Sequence, residues 1–164
     1  EIECNDWALG KEAREFLNTK LEESDFSIKT GMHIEDRPGM ANFSIVGRGA
    51  TVEDRAAYVE HEFVHKERKL IADAFNLKFK ESGITAHVAG ETGIDIIPNG
   101  HDKGQIIHDF DEQTIYFFGD NMQEGGNDAP LKQAIINSDR CFSVTDWEHT
   151  WNLLQELSKQ GLCY

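Results

Sequence analysis

Ile115-Tyr116-Phe117-Phe118-Gly119-Asp120, continued by Asn121-Met122-Gln123-Glu124-Gly125-Gly126-Asn127-Asp128-Ala129-Pro130, decides how this chain is read. The apolar, aromatic and β-branched run has the pattern of a buried strand. It closes in Gly-Asp, which puts a carboxylate at the carboxyl edge of a sheet, where open α/β folds place their ligands. A glycine-rich loop then leads to Asn127 and Asp128, side chains suited to cap a helix start, with Pro130 in the first turn. One acid at a strand end and a second closing the loop can hold Mg²⁺ beside a phosphate. The same residues also make an ordinary strand, turn and helix with an Asx cap.

Outward from this stretch, a helix from about Lys103 to Phe110 precedes the strand at Thr114 to Phe118. A helix from about Pro130 to Asn137, a strand at Cys141 to Val144 and a helix from Trp147 to Lys159 follow. Strands alternating with helices imply parallel βαβ units. Pro98-Asn99-Gly100 interrupts the pattern and divides the chain into residues 1–99 and 100–164. The earlier part has a different rhythm, an α+β layer with an antiparallel sheet. Ala8 to Glu23 reads as an amphipathic helix, and Phe26 to Glu35 and Met40 to Val46 as strands joined through Arg37-Pro38-Gly39. Thr51-Val52-Glu53-Asp54 has the form of a capping box and opens one long helix. Its apolar positions run through Tyr58, Val59, Phe63, Leu70, Ile71, Ala74, Phe75 and Leu77. Short strands at Ile84 to Ala89 and Gly93 to Ile97 complete the part.

The 164 residues suffice for one domain or two small ones, and 39 % hydrophobic residues support a real core. A net charge of −14 argues against nucleic acid and anionic membranes as partners, since phosphate backbones need a basic face. No apolar run reaches the length of a membrane span, and the opening Glu-Ile-Glu-Cys resembles no signal peptide. Cys4, Cys141 and Cys163 form no metal spacing and cannot all pair, which fits reduced thiols and a cytoplasmic location. A first residue of Glu rather than Met fits a fragment, a processed product or a trimmed chain.

Against so acidic a background, clustered arginines carry information. Arg48 ends the second strand, and Arg55 lies in the first turn of the helix that Thr51 opens. Exposed N–H groups and the positive dipole end favour an anion there, and the planar guanidinium fork suits phosphate. Simple hairpin pairing leaves Arg37 at the opposite end from Arg48, so spacing alone does not unite all three. Solvated surface arginines paired with carboxylates are the alternative. His61-Glu62-Phe63-Val64-His65 matches H-E-x-x-H, two imidazoles on one helix face with a glutamate as base. A zinc peptidase needs a third ligand, and neither His87 nor the later carboxylates have a recognised spacing, so a solvated helix face is expected. Lys103, at the start of a helix, can neutralise a transferring phosphoryl group.

The string Ile34-Glu35-Asp36-Arg37-Pro38-Gly39-Met40-Ala41-Asn42-Phe43-Ser44-Ile45-Val46-Gly47-Arg48 resembles the IEFRNGMxNxSPIGR pattern of eukaryotic-type phosphomannomutases. Glu53-Asp54-Arg55, Asp95-Ile96-Ile97-Pro98-Asn99-Gly100-His101-Asp102-Lys103, Phe117-Phe118-Gly119-Asp120 with Gly125-Gly126-Asn127-Asp128, and Ser143-Val144-Thr145 resemble it in the same order. The match runs from about Ile34 to Thr150. It implies a haloacid-dehalogenase-type Rossmann-like core, here its C-terminal portion (100–164), with an α+β cap (1–99) that carries the antiparallel sheet. It also implies interconversion of mannose 6-phosphate and mannose 1-phosphate, serving GDP-mannose biosynthesis, through a phosphoaspartyl enzyme and Mg²⁺.

By the same resemblance Arg37, Asn42, Arg48, Arg55 and Asp95 contact substrate, and Lys103 is the core catalytic lysine. Asp120 is the metal carboxylate, with Asn127 and Asp128 supporting its loop. Family members pair through their caps, so a homodimer is implied, or an assembly with a missing N-terminal segment. Gly93 stands where the family has a substrate-binding serine, which implies that one hydroxyl group to the sugar or phosphate is missing. The DxDGT nucleophile motif is absent; Asp109-Phe110-Asp111 comes nearest and lacks the following Gly-Thr. The chain is therefore expected to supply the clamp and part of a metal site, and not to catalyse alone. A sugar phosphatase of the same superfamily and a non-catalytic sugar-phosphate binding module are the alternatives.

Overall fold

A computed structural model describes residues 7–110, 115–123, 126–135 and 137–162. Its internal contacts divide the chain into two units, one ending at His101 and the other beginning at Asp102. The division falls two residues beyond the break expected at Pro98-Asn99-Gly100.

In the first unit, α1 (Lys11–Glu23) precedes a four-stranded antiparallel sheet of β1 (Ile34–Arg37), β2 (Met40–Phe43), β3 (Ile84–Ala89) and β4 (Gly93–Pro98), ordered β1-β2-β4-β3. Between β2 and β3 lie α2 (Val52–His65) and α3 (Glu67–Lys78). The β1–β2 register pairs Arg37 with Met40, so Pro38-Gly39 is a two-residue turn, with Gly39 at φ +76. That places Pro and Gly at the positions a type II turn requires. Alternation then sorts the sheet into two faces. Ala41, Phe43, Ile94, Ile96 and Ala86 turn inward, almost fully buried with Leu17, Tyr58, Ile71 and Phe75. Each such large side chain contributes roughly 1.5–3 kcal/mol by leaving water. Glu35, Arg37, Asn42, Asp95 and His87 share the other face, because Glu35 pairs with Asn42, Asn42 with Asp95, and Asp95 with His87.

The long helix expected from Thr51 is two helices. Its start is as read: Asp54 N donates to Thr51 Oγ1 at 3.1 Å, and Thr51 N donates back to Asp54 Oδ2 at 2.9 Å. It breaks at Lys66, whose φ of 52 is left-handed. Only one of the two apolar stripes is core: Tyr58, Ile71 and Phe75 are buried, whereas Val59, Phe63, Leu70 and Leu77 are exposed. The first strand also starts later than expected, at Ile34. Residues 30–33 run beside 44–49 through irregular bonds, Thr30 N to Val46 O and Arg48 N to Met32 O among them. Gly47, at φ +80, makes that approach possible, since a Cβ there would sit 1.9 Å from Thr30 O.

In the second unit, β5 (Phe117–Gly119) and β6 (Cys141–Ser143) form a parallel pair, linked through α4 (Ala129–Ala134) and followed by α5 (Trp147–Lys159). This is the parallel connection expected, and α5 has the expected bounds. Asp146 caps α5, its carboxylate accepting from His149 N at 2.8 Å. The helix expected from about Lys103 to Phe110 is a 3-10 helix at Lys103–Asp109, capped by Asp102. Thr114, expected to start the strand, lies outside the described residues. The whole is a mixed α/β fold with an antiparallel and a parallel sheet, the class expected for a haloacid-dehalogenase-type core with an α+β cap. Among the described residues no helix is long and apolar enough to cross a membrane.

Candidate functional site

The polar face of the four-stranded sheet carries a cavity of about 290 Å³, lined by Arg37, Asn42, Arg48, Arg55, Gly93 and Asp95 among others. All six substrate-binding positions expected from the sequence thus meet in one place. The residue that joins two of the arginines, Arg37 and Arg48, is Glu35, which lies within the 34–48 motif but has no site role by the resemblance. Its Oε2 accepts from Arg37 Nε at 2.8 Å and from an Arg48 Nη2–H in a short bond. Glu35 and Arg37 share a strand face, and the close-packed link at Gly47 brings Arg48 back toward them. Simple hairpin pairing, which separates Arg37 from Arg48, has no place for that irregular return. The hydrogen-bonded Arg37 guanidinium, and after it Arg48, hold the Glu35 carboxyl below the usual carboxylate range.

Beside this group Asn42 Nδ2 donates to Asp95 Oδ1 at 2.6 Å, its carbonyl oxygen left as an acceptor. Gly93 fits this bond closely: a Cβ there would lie 2.8 Å from Asn42 Nδ2, so a serine would push the amide aside. Arg55 enters from the first turn of α2 and donates through Nη1 to Thr92 Oγ1 at 3.3 Å. Thr92, buried in the β3–β4 turn, is a second residue that sequence reasoning misses, since nothing in its local sequence marks it as a guanidinium partner. Three guanidinium groups stand here with three carboxylates, the bridging Glu35, Asp95 and the lining Glu91, and with the Asn42 amide. The forked donors suit phosphate oxygens and the acceptors suit hydroxyl groups.

The second unit gathers the other expected residues around the end of β5. Asp128 is expected to cap α4, but its side chain makes no cap bond. Its carboxylate turns back to accept from Lys103 Nζ in a short bond and from Asn121 N at 3.1 Å. Burial pushes the Asp128 carboxyl up, but the Lys103 ammonium and the loop N–H groups overcome it and hold it below the usual range. Gly119 makes room, since a Cβ there would meet Asp128 Oδ2 at 2.6 Å. Asp128 therefore ties the loop to the strand end and fixes Lys103, whose half-exposed side chain borders a hollow of about 460 Å³. Asn127 is exposed in the same turn, and Asp120 stands exposed at the strand end.

Among the described residues no three metal-binding side chains converge. Asp120 nonetheless fits Mg²⁺, which takes one or two carboxylates and keeps several waters. Asp128 is committed to Lys103, and Asp120 is exposed at this strand end, where it could hold such an ion. In the H-E-x-x-H segment His61 and His65 stack ring on ring, centroids 4.1 Å apart, and Glu62 is buried in an ion pair with Arg68 rather than on the solvated face expected.

Comparison with known proteins bears on the family. The model of the eukaryotic phosphomannomutase family matches residues 8–160. Phosphomannomutase 1 of Dictyostelium discoideum is 34 % identical over 159 residues, which cover 91 % of this chain and 62 % of that protein. The Nicotiana benthamiana phosphomannomutase is 36 % identical over 161 residues, covering 94 % of this chain and 61 % of its own length. The chain thus spans about three-fifths of these relatives. A solved structure of an IMP-bound mutant of the Plasmodium falciparum IMP-nucleotidase superposes with a TM-score of 0.54. It covers 94 % of this chain and 40 % of that one at 13 % identity, a likeness of fold alone. With the motifs, the fold and the family model in agreement, the chain belongs to the eukaryotic phosphomannomutase family.

Proposed function

We propose that this chain is the substrate-binding cap and the C-terminal core portion of a Mg²⁺-dependent phosphomannomutase, working in the cytoplasm on the route to GDP-mannose. The observation that carries the reading is the convergence of Arg37, Arg48 and Arg55 with Asn42 and Asp95 in one cavity. In the proposed reaction the guanidinium groups hold one phosphate of the hexose while the other reacts. Asn42 and Asp95, which together offer N–H donors and carbonyl and carboxylate acceptors, orient the sugar hydroxyls. Such a clamp must be strong yet non-covalent, because a mutase releases the bisphosphate intermediate and takes it back reversed. Lys103, steadied by Asp128, neutralises the transferring phosphoryl group. Mg²⁺ at Asp120 would offset charge on that group when bound. The aspartyl nucleophile is not in this sequence as a DxDGT motif. In the proposed enzyme it comes from a further segment.

Titration of the chain with mannose 1-phosphate tests the reading. Each guanidinium–phosphate interaction contributes roughly 1.5–3 kcal/mol. Arg48→Ala or Arg55→Ala should therefore weaken binding about 10- to 100-fold, and EDTA should leave it unchanged. Equal binding by the wild type and both variants would remove the clamp from the account.

A non-catalytic sugar-phosphate binding module is the second reading, favoured because the cavity is complete within the first unit. Adding a DxDGT-bearing N-terminal segment separates the two: the mutase reading expects bisphosphate-stimulated conversion of mannose 1-phosphate, and a phosphatase would release phosphate instead. A homodimer through the first unit is part of the proposal. The exposed Val52, Val59 and Phe63, which recur at helical spacing along α2, support it.

A further inference from the structure

We propose that Glu62 and Arg68 are positioning residues for the anion cavity, acting through the β3–β4 turn on Arg55. The inference rests on the clamp reading above and extends it to two residues that touch no ligand. Glu62 lies in the last turn of α2, and its carboxylate does two things at the break that follows. It accepts from Arg68 N at 3.0 Å, satisfying a free N–H at the start of α3, and it pairs with Arg68 Nε at 3.3 Å. Both side chains are nearly nine-tenths buried, 11 % and 12 % exposed. The far end of the same guanidinium reaches the turn between β3 and β4. Nη1 donates to Gly90 O at 2.9 Å, with Ala89 O and Gly93 O at 3.4 Å.

Those carbonyls belong to residues that line the cavity, and Thr92 between them accepts from Arg55. A turn with glycine at 90 and 93 has many conformations open to it, and Gly90 sits at φ +54. Three carbonyls on one guanidinium select one of them. The bonds close a ring: α2 holds the turn directly through Arg55, and again through Glu62 and Arg68 seven residues on. A cation reaching only a carboxylate would be an ordinary ion pair. One that also gathers the carbonyls of a binding turn transmits its position to that turn.

The test uses the whole chain with Glu62→Gln and Arg68→Lys. Glu62→Gln keeps an acceptor for Arg68 N and the same volume, so the fold survives while the charge is removed. Arg68→Lys keeps the charge but cannot bridge the turn carbonyls and Glu62 together. Amide hydrogen exchange without ligand should speed up at residues 89–93 in both variants, with the rest of the sheet unchanged. Affinity for mannose 1-phosphate should fall about five- to tenfold, within the usual range for coupled neighbours. In an Arg55→Ala background the same Glu62→Gln change should have little further effect, which a merely structural role would not produce. Unchanged exchange at 89–93, or an equal loss of affinity with and without Arg55, overturns the proposal. Should the wild type not bind mannose 1-phosphate, the clamp reading fails, and exchange at 89–93 alone decides whether Glu62 and Arg68 set the turn.

Discussion

The two units of this chain differ in how they keep water out. Leu17, Phe43, Ile45, Tyr58, Phe75, Ile94 and Ile96, each below 2 % exposed, all belong to the first unit. The second buries Leu131, Ile135 and Leu157 to within 9 %, yet leaves Trp151 57 % and Trp147 74 % exposed. The first unit also exposes apolar side chains, Phe63 and Leu77 among them, but on its helices and outside a packed core. An antiparallel sheet can stand with one covered face, whereas a parallel pair normally belongs to a larger sheet covered on both faces. The functional residues follow the same division. The arginine cavity is built wholly from elements of the first unit. Lys103, Asp120 and Asp128 form a charged cluster at the end of a two-stranded sheet. In the proposed reading, binding belongs to the first unit and the phosphoryl chemistry to the second.

Core truncation should break the contrast most strongly. Phe43→Ala removes a fully buried ring between sheet and helices and should cost about 3–5 kcal/mol, read by denaturant unfolding of the chain. The loss of mannose 1-phosphate binding should track that unfolding, because Phe43 follows Asn42 on the same strand. Gly119→Ala should come next. Its Cβ would press on the Asp128 carboxylate, and over-packing of this kind costs about 1–3 kcal/mol. The change should loosen the Lys103–Asp128 pair, seen as a shift of the Lys103 ammonium signal in NMR, and leave binding in the first unit intact. A fall in sugar-phosphate affinity with Gly119→Ala would mean that the two sites are coupled.

What the sequence disclosed is what local geometry determines. Thr51 and Asp54 cap α2 through bonds three residues apart, and α5 starts where Asp146 can cap it. The Pro38-Gly39 turn needs only its own two residues. The break at Lys66 was hidden, because no glycine or proline marks it. Lys66 sits in the left-handed region between Glu62 and Arg68, whose carboxylate-to-N–H bond and ion pair span the break. Helical periodicity offered two neighbouring apolar stripes on α2 and α3 and could not say which faces the sheet. The cavity was legible as a set of residues through family motifs, but not as a geometry. Glu35 and the irregular 30–33 segment bring Arg37 and Arg48 together, and neither is a local signal. Asp128 looked like a helix cap, because Asx before a helix usually is one; a nearby ammonium and the space left by Gly119 drew it elsewhere.

Acid should separate the units more gently. The Asp128 carboxyl titrates lower in the folded chain than in the unfolded one, so its charge stabilises the fold above the ordinary aspartate pKa of about 3.9. That contribution is lost as pH falls from there through the lower folded value. Asp128→Asn should therefore flatten the stability of the second unit as pH falls below about 4, where the loss of that contribution begins. The measurement is tryptophan fluorescence during acid titration, with Trp147 and Trp151 reporting on α5. A profile as steep as the wild type's would assign the acid sensitivity to other carboxylates.

The smallest expected effect is the most direct test of whether the second unit leaves α5 uncovered. Trp151 lies on α5 more than half exposed, so Trp151→Ala removes little buried surface. Exposed substitutions away from caps and pairs usually change stability by no more than about 0.5 kcal/mol. At low protein concentration the thermal midpoint should then stay within about 2 °C of the wild type's. A larger drop would mean that the indole is covered in solution. A concentration dependence of that drop would distinguish cover by a second copy from cover within the chain, because only association follows mass action. Either result would make α5 a contact surface, and the contrast between a first unit with a packed core and a second without one would fail at its exposed end.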